Sequence, residues 1–534
     1  MLQPGMRRII LACALLGLTA LPAHVTLAQP VQSFIVKLKM AATPILETPQ
    51  ALQQREQQRA LGVARDMGST QPSPEPVGTR AHLIRLDAAV HGAGLSQALK
   101  RLRQHPDVEW AEPNVRLKRM AVPNDPGFSA QWHLQAPASF ASGLNMPLAW
   151  DKTTGASTAT VAVLDTGVSF SHPDLAGRLH AGYDFVSEVA YSNDGSGRDT
   201  DPTDPGDWVN STDLKSPLYS GCLIEDSSWH GTFIAGQIVA SANNSQGVAG
   251  INWNAKVLPV RVSGKCGALL SDILDAMRWS AGLSVTGVPA NPNPAKIINL
   301  SFGGDTACTK SYQDTIDEIG RAGALLVVAA GNNSGALARP ADCSGVLAVG
   351  AVQADGAKTY YSDFGSNVAL VAPGGDSSPQ TLRLYSTSNS GTQGPLTDNY
   401  DYKIGTSFSA PLAAAVASLM LSVDGTLTPA QLIAKMKASA RPFASSGAYP
   451  QCSTGVTVAC NCTTSTCGVG MLDANAAVAL VATPVSSVPS TTATTATTSS
   501  SGGGGGANGL WAGLGLWALA LLALWSSRQR PAIK

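Results

Sequence analysis

The chain has 534 residues, with 36 Lys and Arg against 36 Asp and Glu, and only 13% of it is charged. This length exceeds one ordinary domain, and a hydrophobic share of 44% excludes a wholly disordered chain. The balanced charge hides a division: 8 acids and 13 bases in residues 29–120, against 28 acids and 18 bases in residues 121–482. Two such segments should attract each other, which argues against nucleic acid as a partner.

At the N-terminus, Arg7-Arg8 precedes the apolar stretch Ile9–Leu21, and Thr26-Leu27-Ala28 supplies small residues for cleavage. Residues 1–28 therefore read as a secretory signal peptide, with signal peptidase as its partner. Next, 31–40 alternates as a strand, Ala51–Asp66 is a Gln/Arg-rich helix and Gln71–Gly78 is a loop. A strand at His82–Leu86, a helix at Leu95–Gln104 and extended structure at Val108–Asn114 complete a small α+β unit. By itself it fits any small binding domain.

Val122–Pro126 reads as a linker, and Gln131–Leu134 opens something better packed. Five β-branched apolar runs follow: Thr160–Leu164, Val257–Val262, Ile297–Leu300, Leu325–Ala330 and Val346–Val352. Runs of this kind are buried on both faces, as parallel strands covered by helices are. Helices at Leu270–Ala281 and Ser311–Ala322 fit between them. The expected fold class is α/β, a mostly parallel open sheet with helices on both faces, whose ligands sit at the carboxyl ends of the strands.

Cys13 lies in the signal, leaving eight cysteines, an even number that in an exported chain reads as disulfides. We favour Cys222–Cys266 and Cys308–Cys343, with Cys452, Cys460, Cys462 and Cys467 paired locally, although order alone does not fix the connectivity. A metal cluster at Cys460–Cys467 is the alternative, but it lacks the paired C-x2-C spacing of structural zinc sites.

Residues 483–501 form a Ser/Thr-rich linker. The last stretch, 502–534, holds the glycine run Gly502–Gly506, the apolar Leu510–Trp525 and a basic end at Arg528, Arg530 and Lys534. As a helix the apolar stretch is about 24 Å long, slightly short of a bilayer core. Under the positive-inside rule its basic end stays cytoplasmic.

Four polar residues stand where such a sheet places a site. Asp165 follows the run Thr160–Leu164, His230 opens an apolar helix in Ser-Trp-His-Gly-Thr, and Asn332 follows Leu325–Ala330 in Ala-Ala-Gly-Asn-Asn. Ser407 precedes the Ala/Leu-rich run Leu412–Leu421 in Gly405-Thr406-Ser407-Phe408-Ser409-Ala410-Pro411, at a helix N-terminus that favours developing negative charge. Singly, each is more simply a turn or cap residue. Together they supply a nucleophile, a base that takes its proton, a carboxylate that orients the base, and an oxyanion donor.

The chain order Asp, His, Ser, within Asp-Thr-Gly, His-Gly-Thr and Gly-Thr-Ser-x-x-x-Pro, resembles the subtilisin-like serine proteases, the subtilase family. The resemblance spans about Asp125–Ala474. It includes Ser171-His172-Pro173-Asp174-Leu175, Asn299-Leu300-Ser301-Phe302-Gly303-Gly304 and Ala329-Ala330-Gly331-Asn332. It implies a serine endopeptidase acting through an acyl-enzyme, with Asp165, His230 and Ser407 catalytic and Asn332 the oxyanion donor. Ser301, Phe302 and Gly303 would pair with the substrate backbone as an added strand. No cofactor is implied for catalysis. A structural Ca²⁺ in the loop of Asp199, Asp201, Asp204 and Asp207 is implied by related proteases and weighed against a solvated acidic loop; His133 and His172 are not metal ligands on this reading. Phe233 and Phe408 depart from the family, which often has histidine and usually methionine there.

By the same resemblance, 29–121 is an inhibitory pro-region and intramolecular chaperone, ending in Val108–Asn114 and cut near Arg119–Pro123, and 122–482 is the catalytic domain. Asn124-Asp125-Pro126, the cysteines and Cys467-Gly468-Val469-Gly470-Met471-Leu472-Asp473-Ala474 look like the secreted proteobacterial branch. The linker, glycine run, apolar helix and basic end resemble GlyGly-type sorting tails, removed by a rhomboid-like membrane protease. The expected route is export, transient inner-membrane anchoring, then the cell surface or medium. Two rival readings compete with this one. A catalytically dead surface-binding relative has no chemical need for all four site residues, and an esterase would want a Gly-x-Ser-x-Gly elbow that the serine motif lacks.

Overall fold

The computed structural model describes residues 30–40, 48–78, 80–115, 121–445, 447–453 and 456–482. The signal peptide, Arg119 and Met120 of the expected maturation stretch, the Ser/Thr-rich linker and the C-terminal tail lie outside the described residues.

The N-terminal unit is an antiparallel sheet in the order Glu75–Val77, Ala81–Val90, Val31–Leu38, Val108–Pro113. Helices Pro49–Asp66 and Gly92–Gln104 close its core of Phe34, Val36, Val63, Ile84, Leu95 and Leu102. The expected loop Gln71–Gly78 contains the edge strand Glu75–Val77. Pro76 fits there because an edge strand has one side that needs no ladder donor. The strand expected to stop at Leu86 runs on to Val90, which pairs with Val31 across an irregularity, so tertiary pairing overrides the weak strand preference of Asp87-Ala88-Ala89.

Val122–Pro126 is no free linker. Asp125 is buried and accepts from the amides of Asn243 (2.7 Å) and Asn244 (3.0 Å), clamping the chain to that turn.

The main sheet has seven parallel strands in the order Leu370–Pro373, Leu347–Val352, Leu325–Ala329, Ile297–Leu300, Thr160–Asp165, Lys256–Arg261, Tyr183–Asp184. The outermost strands Leu370–Pro373 and Tyr183–Asp184 were not among the expected runs; Tyr183–Asp184, at two residues, leaves no apolar run to read, whereas Leu370–Pro373 lies in the apolar stretch 368–373. Within each central strand, alternate residues serve opposite cores. Val161, Val163, Leu325 and Val327 face one core; Ala162, Leu164, Leu326 and Val328 face the other. Helices His230–Val239 and Thr406–Val423 pack into the first core, and Leu270–Ser280 and Lys310–Arg321 into the second. Covered on both sides, the strands have no polar face, hence their uninterrupted apolar runs.

Chain order reverses beside Thr160–Asp165: Lys256–Arg261 joins one edge of it and Ile297–Leu300 the other. The crevice beyond the carboxyl ends of these strands is where an open sheet presents a ligand site.

Four disulfides form, Cys222–Cys266, Cys308–Cys343, Cys452–Cys460 and Cys462–Cys467, with Cα separations of 5.0–5.6 Å. The sulfurs of Cys452, Cys462 and Cys467 do converge, but all three are in disulfides and none is a thiolate ligand. Among the described residues, the one helix long and apolar enough to cross a membrane is Thr406–Val423, a buried core helix.

Candidate active site

Asp165 ends the central strand, and its side chain is fully buried. Its two oxygens lie 2.8 and 3.0 Å from His230 Nδ1, and Oδ1 also accepts from the Thr166 amide at 2.9 Å. A carboxylate on Nδ1 fixes the tautomer in which Nε2 is the free base.

His230 begins its helix directly after Trp229, which holds a left-handed conformation at φ 49°. That strain persists because the buried Trp229 ring is pinned, its Nε1 donating to the Gly391 carbonyl at 2.7 Å. The helix comes close to Asp165 only because residue 231 is glycine. A Cβ there would fall 2.1 Å from the Gly167 carbonyl oxygen and 3.0 Å from Asp165 Cβ. The Gly231 amide is met by Thr166 Oγ1 (3.1 Å), which in turn donates to Asp204 Oδ2 (2.7 Å).

The serine helix opens after Gly405, at φ 147°, a conformation that an L side chain rarely adopts. The Gly405 amide is held by the Gly374 carbonyl and by Tyr361 Oη, whose own proton goes to the Gly374 carbonyl at 2.6 Å. Ser407 Oγ donates to the Ser301 carbonyl at 3.3 Å, and Ser301 Oγ donates to the Ser407 carbonyl at 2.9 Å. Phe302 and Phe408, the neighbours of these two serines, flank the His230 ring with centroids at 5.8 and 5.0 Å. The residue after Ser407 thus lies against the imidazole, while the Ser407 hydroxyl itself is held by the Ser301 carbonyl. His230 Nε2 has no protein partner among the described residues.

Asn332 sits one loop away. Its Oδ1 accepts from the amide (3.0 Å) and hydroxyl (2.9 Å) of Thr406, which leaves Nδ2 on the Gly405 side of the site. Ser301, Phe302 and Gly303 continue the strand Ile297–Leu300 into the crevice. Phe302 and Gly303 make no backbone hydrogen bond among the described residues.

The two departures from the family pattern prove to be one feature. Phe233 and Phe408 pack against each other at 4.7 Å and form the apolar wall behind the imidazole.

The four loop aspartates are not gathered into a cage. Asp199 Oδ1 accepts from the Asp201 amide, and Asp201 Oδ1 from the amide and hydroxyl of Thr203. Asp204 accepts from Thr166 Oγ1 and the Gly206 amide, and Asp207 from the amide and hydroxyl of Ser228. Among the described residues, no three of them bring ligand oxygens within 4.8 Å of one another. Asp204 is fully buried, and burial, then the nearby Asp207, pushes its carboxyl up to about 7. This donor set does not fit one shared Ca²⁺; Asp204 braces the histidine helix instead. His172 is also structural: its Nδ1 accepts from the Asp174 amide and its Nε2 donates to the Asn399 carbonyl.

Thr166, Trp229, Tyr361 and Thr406 were not singled out in the sequence, though Thr166, Trp229 and Thr406 adjoin catalytic candidates. Tyr361 carries no local signal.

A doubly wound parallel sheet with a buried Asp–His pair and a helix-opening serine at its switch point defines a class, the serine hydrolases of open α/β type. The family model for the subtilase family matches residues 156–476, and the chain belongs to that family. It is a subtilisin-like serine endopeptidase. An extracellular protease of Xanthomonas campestris pv. campestris is 40% identical over 458 residues, covering 84% of this chain and 73% of that one. An extracellular basic protease of Dichelobacter nodosus is also 40% identical, but over 62% of this chain and 54% of its own length. A solved protease from Pseudoalteromonas arctica superimposes with a TM-score of 0.61 at 43% identity, over 68% of this chain and all of that one.

Proposed function

We propose that this chain cleaves peptide bonds through Asp165, His230 and Ser407, by way of an acyl-enzyme. The observation that carries the reading is the Asp165–His230 contact at 2.8 and 3.0 Å beside the helix-opening Ser407. Rotation about Cα–Cβ moves the Ser407 hydrogen bond from the Ser301 carbonyl to His230 Nε2, which takes the proton as Oγ attacks the substrate carbonyl. Asp165 stabilises the imidazolium that forms. The tetrahedral oxyanion accepts from Asn332 Nδ2 and the Ser407 amide. The imidazolium then protonates the leaving amine, and water repeats the sequence on the ester. The free backbone groups of Phe302 and Gly303 support their pairing with an extended substrate.

We further infer that the enzyme is made as an exported, self-inhibited precursor of the secreted proteobacterial type: signal 1–28, pro-region 29–121, catalytic domain 122–482, linker 483–501 and sorting tail 502–534. The names of the Xanthomonas and Dichelobacter relatives support export. The basic charge of 29–120 against the acidic 121–482 supports docking of the pro-region on the enzyme. A transient inner-membrane anchor at Leu510–Trp525, cut near Gly502–Gly506, completes the route; intact-mass analysis of exported protein retaining Trp525 would exclude that cut.

The chemistry is tested with a fluorophosphonate probe and a casein assay on the full chain and its Ser407→Ala variant. Labelling and turnover that both vanish in the variant are expected. Normal turnover without Ser407 would end the proposal.

A further inference from the structure

The segment Lys358–Gly365 touches none of the catalytic side chains, yet it holds the loop that carries Asn332. Asp363 is buried, and its Oδ1 accepts from the amides of Asn333 (2.9 Å) and Gly335 (2.7 Å). Its own amide donates to the Gly331 carbonyl at 2.9 Å. The Ser334 amide donates to the Tyr361 carbonyl at 2.8 Å, with Ser334 in the left-handed region at φ 54°. Four residues around Asn332 are thus tied to Tyr361 and Asp363, on both sides of it. The loop is closed down on the carboxylate: a Cβ at Gly331, φ 114°, would fall 2.0 Å from Asp363 Oδ2.

The anchor is itself anchored. Lys358 is fully buried, donates Nζ to the Thr359 (2.8 Å) and Ser362 (2.9 Å) carbonyls, and balances the charge of Asp363. Lys358 and Cys460 exchange backbone hydrogen bonds, and the Gly365 amide donates to the Thr466 carbonyl. Both ends of the segment are therefore stitched to the stretch stapled by Cys452–Cys460 and Cys462–Cys467.

We propose that Asp363 is the positioning residue for Asn332. It neutralises two amide donors that would otherwise recruit water, and it fixes the loop so that Nδ2 meets the oxyanion without reorganisation. The inference rests on Asn332 being the oxyanion donor. A donor acts only within about 2.7–3.1 Å of the developing charge, and a misplacement of about 1 Å costs on the order of 10² in rate. A loop released from Asp363 therefore loses kcat, while the substrate-binding backbone of Phe302 and Gly303 keeps KM.

The test is a double-mutant cycle on the full chain, read as kcat and KM on one peptide substrate. Asp363→Ala is expected to lower kcat at least about tenfold with KM within about twofold. Asn332→Ala lowers kcat by about 10²–10³. Adding Asp363→Ala to Asn332→Ala should then change little further, because the donor being positioned is gone. Asp363→Asn keeps an acceptor oxygen and should recover most of kcat. If Asp363→Ala fails to fold, Asp363→Ser, which keeps a polar atom but not its reach, takes its place in the cycle. An Asp363 effect of equal size with and without Asn332, or kcat within twofold of wild type in Asp363→Ala, would overturn the proposal. Normal kcat in Asn332→Ala would instead remove the oxyanion reading, and this inference with it.

Discussion

Ser301 and Ser407 exchange hydrogen bonds, each hydroxyl donating to the other's carbonyl, at 2.9 and 3.3 Å. The cause lies four residues into the serine helix. The Ser407 carbonyl would ordinarily accept from the amide of residue 411, but Pro411 has none. The freed carbonyl is met by Ser301 Oγ, which also accepts from Asn299 Nδ2 at 3.1 Å. The proline of the serine motif and the serine that begins the expected substrate strand are thus parts of one joint.

Removing the joint from one side should expose it. Ser301→Ala leaves a half-buried carbonyl without its partner and is expected to cost about 1 kcal/mol of stability. In a Pro411→Ala background the helix supplies its own donor, so Ser301→Ala should cost clearly less there. Equal costs in both backgrounds, by chemical denaturation, would refute the coupling.

Asp165→Asn keeps the shape of the buried side chain but presents an amide to His230 Nδ1. The imidazole is then held in the wrong tautomer, and kcat should fall by about 10⁴. Melting temperature should shift far less than activity. Retention of kcat within about tenfold would show that Asp165 does not orient the base.

Gly231→Ala tests why the histidine helix can approach so closely. The added methyl collides with the Gly167 carbonyl and Asp165, so the helix start must move. Overpacking of this kind costs about 1–3 kcal/mol, and the displaced imidazole should lose at least about tenfold in kcat. Unchanged stability and activity together would contradict the contact.

His133 supplies a dependence on pH. It is fully buried with no partner on either ring nitrogen among the described residues, and burial lowers its pKa to about 3. Between that value and the ordinary 6.5 the unfolded chain binds a proton that the native protein does not. The contribution is therefore complete above about pH 6.5 and is lost progressively as pH falls towards 3. At pH 4 the loss is on the order of 3 kcal/mol. His133→Phe should flatten this acid limb in melting curves taken from pH 7 to 4. An acid limb of the same slope in the variant would assign the loss to other groups.

Much of this protein is legible in its amino-acid order. Strands buried on both faces announce themselves as unbroken runs such as Thr160–Leu164, and the residues that would do chemistry sit at the ends of such runs. Asp165 could be located as the polar end of the run Thr160–Leu164, and His230, Asn332 and Ser407 because each lies beside a glycine or at a helix start. The favoured pairings Cys222–Cys266 and Cys308–Cys343 do form, although order alone did not fix them.

What order could not supply depends on contacts between residues far apart in the chain. The two-residue strand Tyr183–Asp184 exists only because Lys256–Arg261 offers it a ladder. The acidic loop looked like a metal cage because spacing counts carboxylates and not their donors; folding gave each carboxylate its own amide or hydroxyl. Phe233 and Phe408 are separate departures in sequence and one wall in space. Asp363, thirty-one positions after Asn332, has no periodic or motif signal. Local spacing determines which backbone each residue can adopt and what chemistry it can do. Only the packing of the sheet and its two helical layers decides which polar atoms meet, because that is set by distances no stretch of sequence encodes alone.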